Sequence, residues 1–211
     1  MRTVLLTGFE PFAGDATNAS GDAVEVVARE WDGPERLVAA ILPVEFRRAR
    51  DTLVRLLVEY TPEIVIATGL AGGRADITPE RIAINLMDAR IPDNAGFQPT
   101  DEQSMAGSPA AYFSTLPVKA IAAAIAEAGI PASLSHSAGT FVCNHTMFAA
   151  LDLLDPESQR GGFIHVPYAN ENAPEGQPSL PLADIARALR IAVRTALDTE
   201  VDDSYVSGTI F

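Results

Sequence analysis

Unbroken apolar runs alternate with apolar stripes along the first part of the chain. Thr3-Val4-Leu5-Leu6-Thr7 reads as a buried strand, and Arg36 to Val44 and Glu63 to Thr68 repeat the pattern. Between them, Gly21 to Trp31 and Phe46 to Tyr60 carry apolar residues at helical spacing. Leu53, Leu56, Leu57 and Tyr60 share the inner side of the second helix, and Ser20 or Asn18 is placed to cap the first. This βαβαβ order predicts an α/β protein with a largely parallel sheet covered on both faces. In such sheets ligands bind beyond the carboxyl ends of the strands.

The remainder alternates less regularly. Ile82 to Leu86 reads as a short strand, Gly96 to Gly107 as a long polar loop, and Pro109 to Leu116 and Pro117 to Ala128 as helices, the second ended by Gly129. Pro131 to Ser137 is predicted as a strand, Gly139 as a tight turn, and Phe148, Leu151 and Leu154 as one face of a following helix. Gly161 to Tyr168 makes another strand and Leu182 to Leu197 a last amphipathic helix, whereas Val201 to Phe211 carries little signal. A chain of 211 residues with neither a linker-like run nor a repeat is expected to be one domain, 1–211.

Charge narrows the function classes. A formal net charge of −13 disfavours nucleic acid and anionic membranes as partners, since both require a basic surface. No apolar run approaches the roughly 20 residues of a membrane span. One cysteine excludes an intramolecular disulfide, and with no signal-peptide pattern before Thr3 a cytoplasmic location is expected. Small molecules or peptides fit better as substrates.

That cysteine, Cys143, falls where the predicted strand gives way to the predicted helix. Unpaired N–H groups and the positive end of the helix dipole there favour a thiolate, while the common alternative is a cysteine packed as a small hydrophobe. Of the three histidines, His145 lies two residues on and faces elsewhere on a helix, which suggests a cap or surface role. His136 precedes the glycine turn; His165 stands near the carboxyl end of its own strand, where active loops gather, and is the preferred base. The acid stays open among Asp76, Glu80 and Asp88. Gly69-Leu70-Ala71-Gly72-Gly73-Arg74 matches neither phosphate-binding spacing, so its glycines suggest close backbone approach instead.

Six stretches, in order, resemble the pyroglutamyl peptidase I family of cytosolic cysteine peptidases. They are Leu6 to Phe12, Gly69 to Arg74, Glu80 to Asn85, Arg90 to Asn94, Ser137 to Asn144 and Gly162 to Pro167. The resemblance implies a single three-layer α/β/α sandwich around a mostly parallel twisted sheet. It implies a catalytic triad of Glu80, Cys143 and His165, an oxyanion region including Arg90, and a pocket for the pyroglutamyl ring from Phe9, Phe12, Leu70, Ile91, Phe141 and Val142, with Asn18 bonding the lactam. It further implies pyroglutamyl peptides as substrates, no cofactor, no metal, and a homotetramer. Leu70 departs from the glutamine of the family pattern, and Tyr168 to Pro181 is not typical of it. These departures lend weight to a rival, a cysteine amidohydrolase acting on another cyclic or acylated amine; a second rival is a non-enzymatic small-molecule-binding α/β protein.

Overall fold

The computed structural model describes residues 1–208. In chain order its elements are β1 (Thr3–Phe9), α1 (Ala19–Glu30), β2 (Arg36–Leu42), α2 (Phe46–Tyr60), β3 (Ile64–Leu70), β4 (Thr78–Pro79), β5 (Ile82–Ile84), β6 (Ala111–Phe113), α3 (Val118–Glu127), α4 (Val142–Leu153), β7 (Arg160–Val166), β8 (Tyr168–Ala169), β9 (Ser179–Leu180) and α5 (Leu182–Asp198). The central sheet runs β2-β1-β3-β7-β4. All of its pairings are parallel except β4 against β7.

Alternation along the strands divides the core into two layers. Val4, Leu6, Ile64, Ile66, Ile164 and Val166 face α1, α3 and α5, whereas Leu5, Val65, Ala67 and Phe163 face α2 and α4. The result is a three-layer α/β/α sandwich. β1, β3 and β7 are buried on both faces, which is why they read as continuous apolar runs. Because β2 and β3 flank β1 on opposite sides, the chain reverses direction across the sheet at β1 and β3, and a crevice opens beyond their carboxyl ends.

Two sequence expectations fail here. Ala111–Phe113, read as part of a helix, is a strand paired antiparallel with β5. Its side chains alternate: Tyr112 packs its ring 4.9 Å from that of Phe148 and bonds Asp152, while Phe113 is 64% exposed. That period of two is a strand's. Pro131 to Ser137, read as a strand, makes only isolated parallel bridges, Ile77 with Ala132 and Glu80 with Ser135. The physical reason is Pro79, which has no N–H to bond the intervening Ser133 carbonyl and so interrupts the ladder.

Two unpredicted features close the architecture. β8 and β9 form a small parallel pair within Tyr168 to Pro181, the segment read from the sequence as departing from the family pattern. Residues 199–208, after α5, are irregular, but Asp202 accepts from the N–H groups of Lys119 and Ala120 and so caps α3 from a distance. Among the described residues no helix is long and apolar enough to cross a membrane.

Candidate active site

Cys143 is the second residue of α4, and the N-cap before it, Phe141, offers no side-chain cap. The first intrahelical bond runs from His145 N–H to the Phe141 carbonyl, so the preceding N–H groups lie free at the end of the helix that carries the thiol. Asn144 pins this end in place. Its buried amide bonds the N–H of Ile84 and the carbonyls of Ile84 and Leu86. The loop before it turns at Gly139, φ +78°, and is tied down by Thr140, whose hydroxyl donates to the Asp88 carbonyl.

Across from the thiol stands Gly69 at the end of β3. A Cβ there would sit 2.8 Å from Cys143 Sγ and 2.8 Å from the Phe163 ring, so only glycine admits the thiol so close to the sheet. Gly69 is the register partner of His165 on β7. The His165 ring lies on the α4 side of the sheet, 4.8 Å from the ring of Phe163. Sheet register thus sets His165 beside the glycine against which the Cys143 thiol packs.

Behind His165, Glu80 follows the short edge strand β4, whose Thr78 pairs with His165. The carboxyl is wholly buried, and its Oε1 meets His165 Nδ1 at 2.6 Å. Of the three acids that sequence left open, this is the one the fold places on the imidazole. Asp76 lines an open cavity beside Arg74, and Asp88 is exposed.

Burial dominates the electrostatics. It pushes the Cys143 thiol up to about 12, reinforced by the Glu80 charge and only partly opposed by Arg74. The free N–H groups and dipole of the α4 N-terminus work in the opposite sense, toward the thiolate. Burial also lowers the pKa of His165, against the hydrogen bond and charge of Glu80, which favour the imidazolium. For Glu80 burial works upward, but the bond to His165 and the nearby positive charge outweigh it and hold the carboxyl below its ordinary value. These directions favour a neutral thiol, a neutral imidazole and an ionised carboxylate at rest. With Nδ1–H donated to Glu80, the Nε2 lone pair is free to take a proton.

A narrow pocket, almost wholly apolar, opens beside the thiol. Phe9, Phe12, Asn18, Val44, Leu70, Phe141, Val142 and Cys143 line it. The rings of Phe12 and Phe141 lie 6.3 Å apart, and Phe46 packs edge-on to Phe141 from behind. Asn18 is buried and caps α1: its Oδ1 accepts from the N–H and hydroxyl of Ser20, and its Nδ2 donates to the Glu10 carbonyl. Val44, just beyond β2, was not foreseen; its place after a parallel strand's carboxyl end was the available signal. Arg90 is exposed and Ile91 half-buried, and neither lines this pocket.

The other histidines part company with expectation to different degrees. His136 is exposed and lines the open cavity beside Arg74. His145, expected at a cap or on the surface, is instead buried, with Nδ1 2.6 Å from Ser104 Oγ and its ring against Phe46. Helix α4 is packed nearly all round, so being off the thiol's face still means being inside. Among the described residues no group of three or more His, Cys, Asp or Glu is placed to hold a metal ion.

Comparison with known proteins gives this arrangement a family. The model of the family described as pyroglutamyl peptidase matches residues 2–199. The chain belongs to the pyroglutamyl peptidase family. It is 48% identical over 214 residues to a pyrrolidone-carboxylate peptidase of Pectobacterium carotovorum, and 50% identical over 212 residues to one of Chromobacterium violaceum, covering 100% of each chain in both cases. Among solved structures, pyroglutamyl peptidase I of Bacillus amyloliquefaciens superposes with a TM-score of 0.92 at 45% identity, over 96% of this chain and 100% of that one. The pyrrolidone carboxyl peptidase of Thermococcus litoralis gives 0.89 at 42% identity, over 98% and 99%. The segment Tyr168 to Pro181 lies within the residues that the family model matches.

Proposed function

We propose that this protein is a cysteine exopeptidase that hydrolyses the amide bond after an N-terminal pyroglutamyl residue, with Cys143 as nucleophile, His165 as base and then acid, and Glu80 orienting the imidazole. One observation carries the assignment of residues: a buried Glu80–His165 hydrogen bond of 2.6 Å stands next to a thiol packed on Gly69, the register neighbour of His165. The whole chain, 1–211, then serves as one catalytic domain.

The steps follow from the resting charges. His165 Nε2 takes the proton from Cys143 as the sulfur attacks the pyroglutamyl carbonyl, and Glu80 stabilises the imidazolium that forms. Burial of the thiol favours this concerted transfer over a standing thiolate. Free N–H groups at the start of α4 receive the oxyanion. His165 then returns its proton to the leaving amine as the C–N bond breaks, and water, deprotonated in turn by His165, cleaves the thioester. Arg90 as oxyanion support and Ile91 as pocket wall rest on the resemblance alone.

The pocket suits a flat, uncharged lactam. Such a ring has no α-ammonium group, so a carboxylate anchor would be of no use, and aromatic walls at Phe12 and Phe141 are a better match. Asn18 supplies the polar contact. Its Oδ1 is occupied by Ser20 and one Nδ2 hydrogen by Glu10, which leaves the second Nδ2 hydrogen for the lactam carbonyl. A proline ring would leave that donor unpaired at a cost of about 1–3 kcal/mol. Leu70 adds apolar wall where the family pattern has glutamine. We extend the reading to a cytoplasmic homotetramer, on the same resemblance.

Release of a fluorogenic amine from pyroglutamyl, prolyl and glutamyl derivatives tests this. The pyroglutamyl compound is expected to turn over and the other two to fail. Preference for another cyclic or acylated amine would favour the amidohydrolase, and no turnover of any of them the non-enzymatic binder.

A further inference from the structure

The Gly69–Arg74 loop contributes its first residues to the site, yet its last residue, Arg74, has no part in the scheme above. Arg74 nonetheless joins three pieces of the molecule. Its Nη1 donates to Glu80 Oε1 at 2.6 Å and to Thr78 Oγ1 at 2.7 Å, and its Nη2 donates to the Ser137 carbonyl at 3.0 Å. Glu80 Oε1 is the same oxygen that receives His165 Nδ1. Ser137 begins the loop that leads through Gly139 to the helix bearing Cys143.

We propose that Arg74 is a positioning residue: its guanidinium fixes Glu80 Oε1 toward His165 and ties that pair to the loop entering the Cys143 helix. The inference rests on the reading of Cys143, His165 and Glu80 given above. A planar fork with donors in fixed directions can hold a carboxylate, a hydroxyl and a carbonyl at once, whereas a lysine is a point charge on a flexible stem. A wholly buried carboxylate that lost this partner would be an undercompensated charge, free to turn away from the imidazole. The arginine's charge also acts on both reacting groups, favouring the neutral form of His165 and the thiolate of Cys143. The charged and titratable groups around His165 are Glu80 beyond β4, Arg74 from its loop and Cys143 on α4; Asp76 and His136 share the open cavity that Arg74 lines.

That cavity provides the test, because it leaves the Arg74 position open to small solutes. Cys143 is the chain's one cysteine, so the pH dependence of its alkylation by iodoacetamide reads the site without substrate. In Arg74→Ala the rate at neutral pH is expected to fall about tenfold, the equivalent of one pKa unit, and its rise to move to higher pH. Ethylguanidinium at millimolar concentration is expected to restore both. Arg74→Lys keeps the charge without the fork and should recover only part; it also carries the test if the alanine variant fails to fold. In hydrolysis of a pyroglutamyl amide the loss should fall on kcat, with KM little changed. Wild-type alkylation rates and an unshifted profile in either folded variant would overturn the inference, as would a folded Arg74→Ala that ethylguanidinium leaves unrescued. If the wild type hydrolyses no pyroglutamyl amide, the functional reading falls, and the alkylation comparison still decides the role of Arg74.

Discussion

Asn18 both starts α1 and walls the pocket, and substitution can separate these tasks. Asn18→Ser keeps an oxygen to cap the helix but lacks the amide donor, so KM for a pyroglutamyl amide should rise about tenfold, with stability falling only by the lost bond to the Glu10 carbonyl, about 1 kcal/mol. Asn18→Ala should show the same rise in KM and lose about 1 kcal/mol more in urea unfolding, for the cap. An unchanged KM in both would remove Asn18 from lactam recognition. His145 makes a different prediction. Burial lowers its pKa to about 4, so between 6.5 and 4 the unfolded chain binds a proton that the folded one refuses. Stability is full above pH 6.5 and falls as pH drops toward 4, by on the order of 3 kcal/mol from this group. His165, lowered in the same direction, adds to that slope. Denaturant titrations across this range should show a shallower slope in His145→Gln than in the wild type; equal slopes would exclude His145 as the source. In the sequence Asn18 competed with Ser20 as cap and owed its lactam contact to the family resemblance, while His145 read as peripheral. Spacing left Glu80 among three acids, and only the family resemblance selected it, because which carboxylate reaches an imidazole depends on pairing across the sheet and not on spacing along the chain.

At the scale of elements, the meeting of β3, β7 and the start of α4 is the decisive contact. Gly69→Ala should place a methyl group 2.8 Å from both the thiol and the Phe163 ring, forcing α4 outward. Overpacking of this kind costs about 1–3 kcal/mol, and a nucleophile displaced by a fraction of an ångström should lose most of its kcat. Wild-type kcat and melting temperature in this variant would contradict the packing described. The buried strands were legible because parallel strands covered on both faces read as apolar runs, and α2 and α5 were legible from their stripes. The short elements were not. β4, β6, β8 and β9 span two or three residues each, too few to show a period, and exist through pairing with partners elsewhere in the chain, β4 with β7, β6 with β5 and β8 with β9. The aromatic pair Tyr112-Phe113 was the missed cue for β6, since those residues favour strands. At Pro131 to Ser137 the apolar pattern was real, but the residue that broke the ladder, Pro79, lay some fifty positions away.

For the whole molecule, the order of strands explains where the chemistry sits. The pocket lies beyond the carboxyl ends of β1, β2 and β3, where the connections diverge, and β7 adds the histidine at the same edge. The βαβαβ start predicted that edge; the family resemblance then selected residues along it. Assembly belongs to this scale too. Light scattering should give about four times the 22.4 kDa of one chain, and a monomeric mass with full activity would remove the tetramer from the account. The central claim is that the thiol of Cys143 carries the reaction, and the most direct measurement is hydrolysis of a pyroglutamyl amide by wild type and by Cys143→Ser, both verified as folded. The account predicts turnover in the wild type and loss of at least about a thousandfold in the variant, as removal of a catalytic nucleophile produces. Turnover by the serine variant within a few fold of the wild type would contradict it.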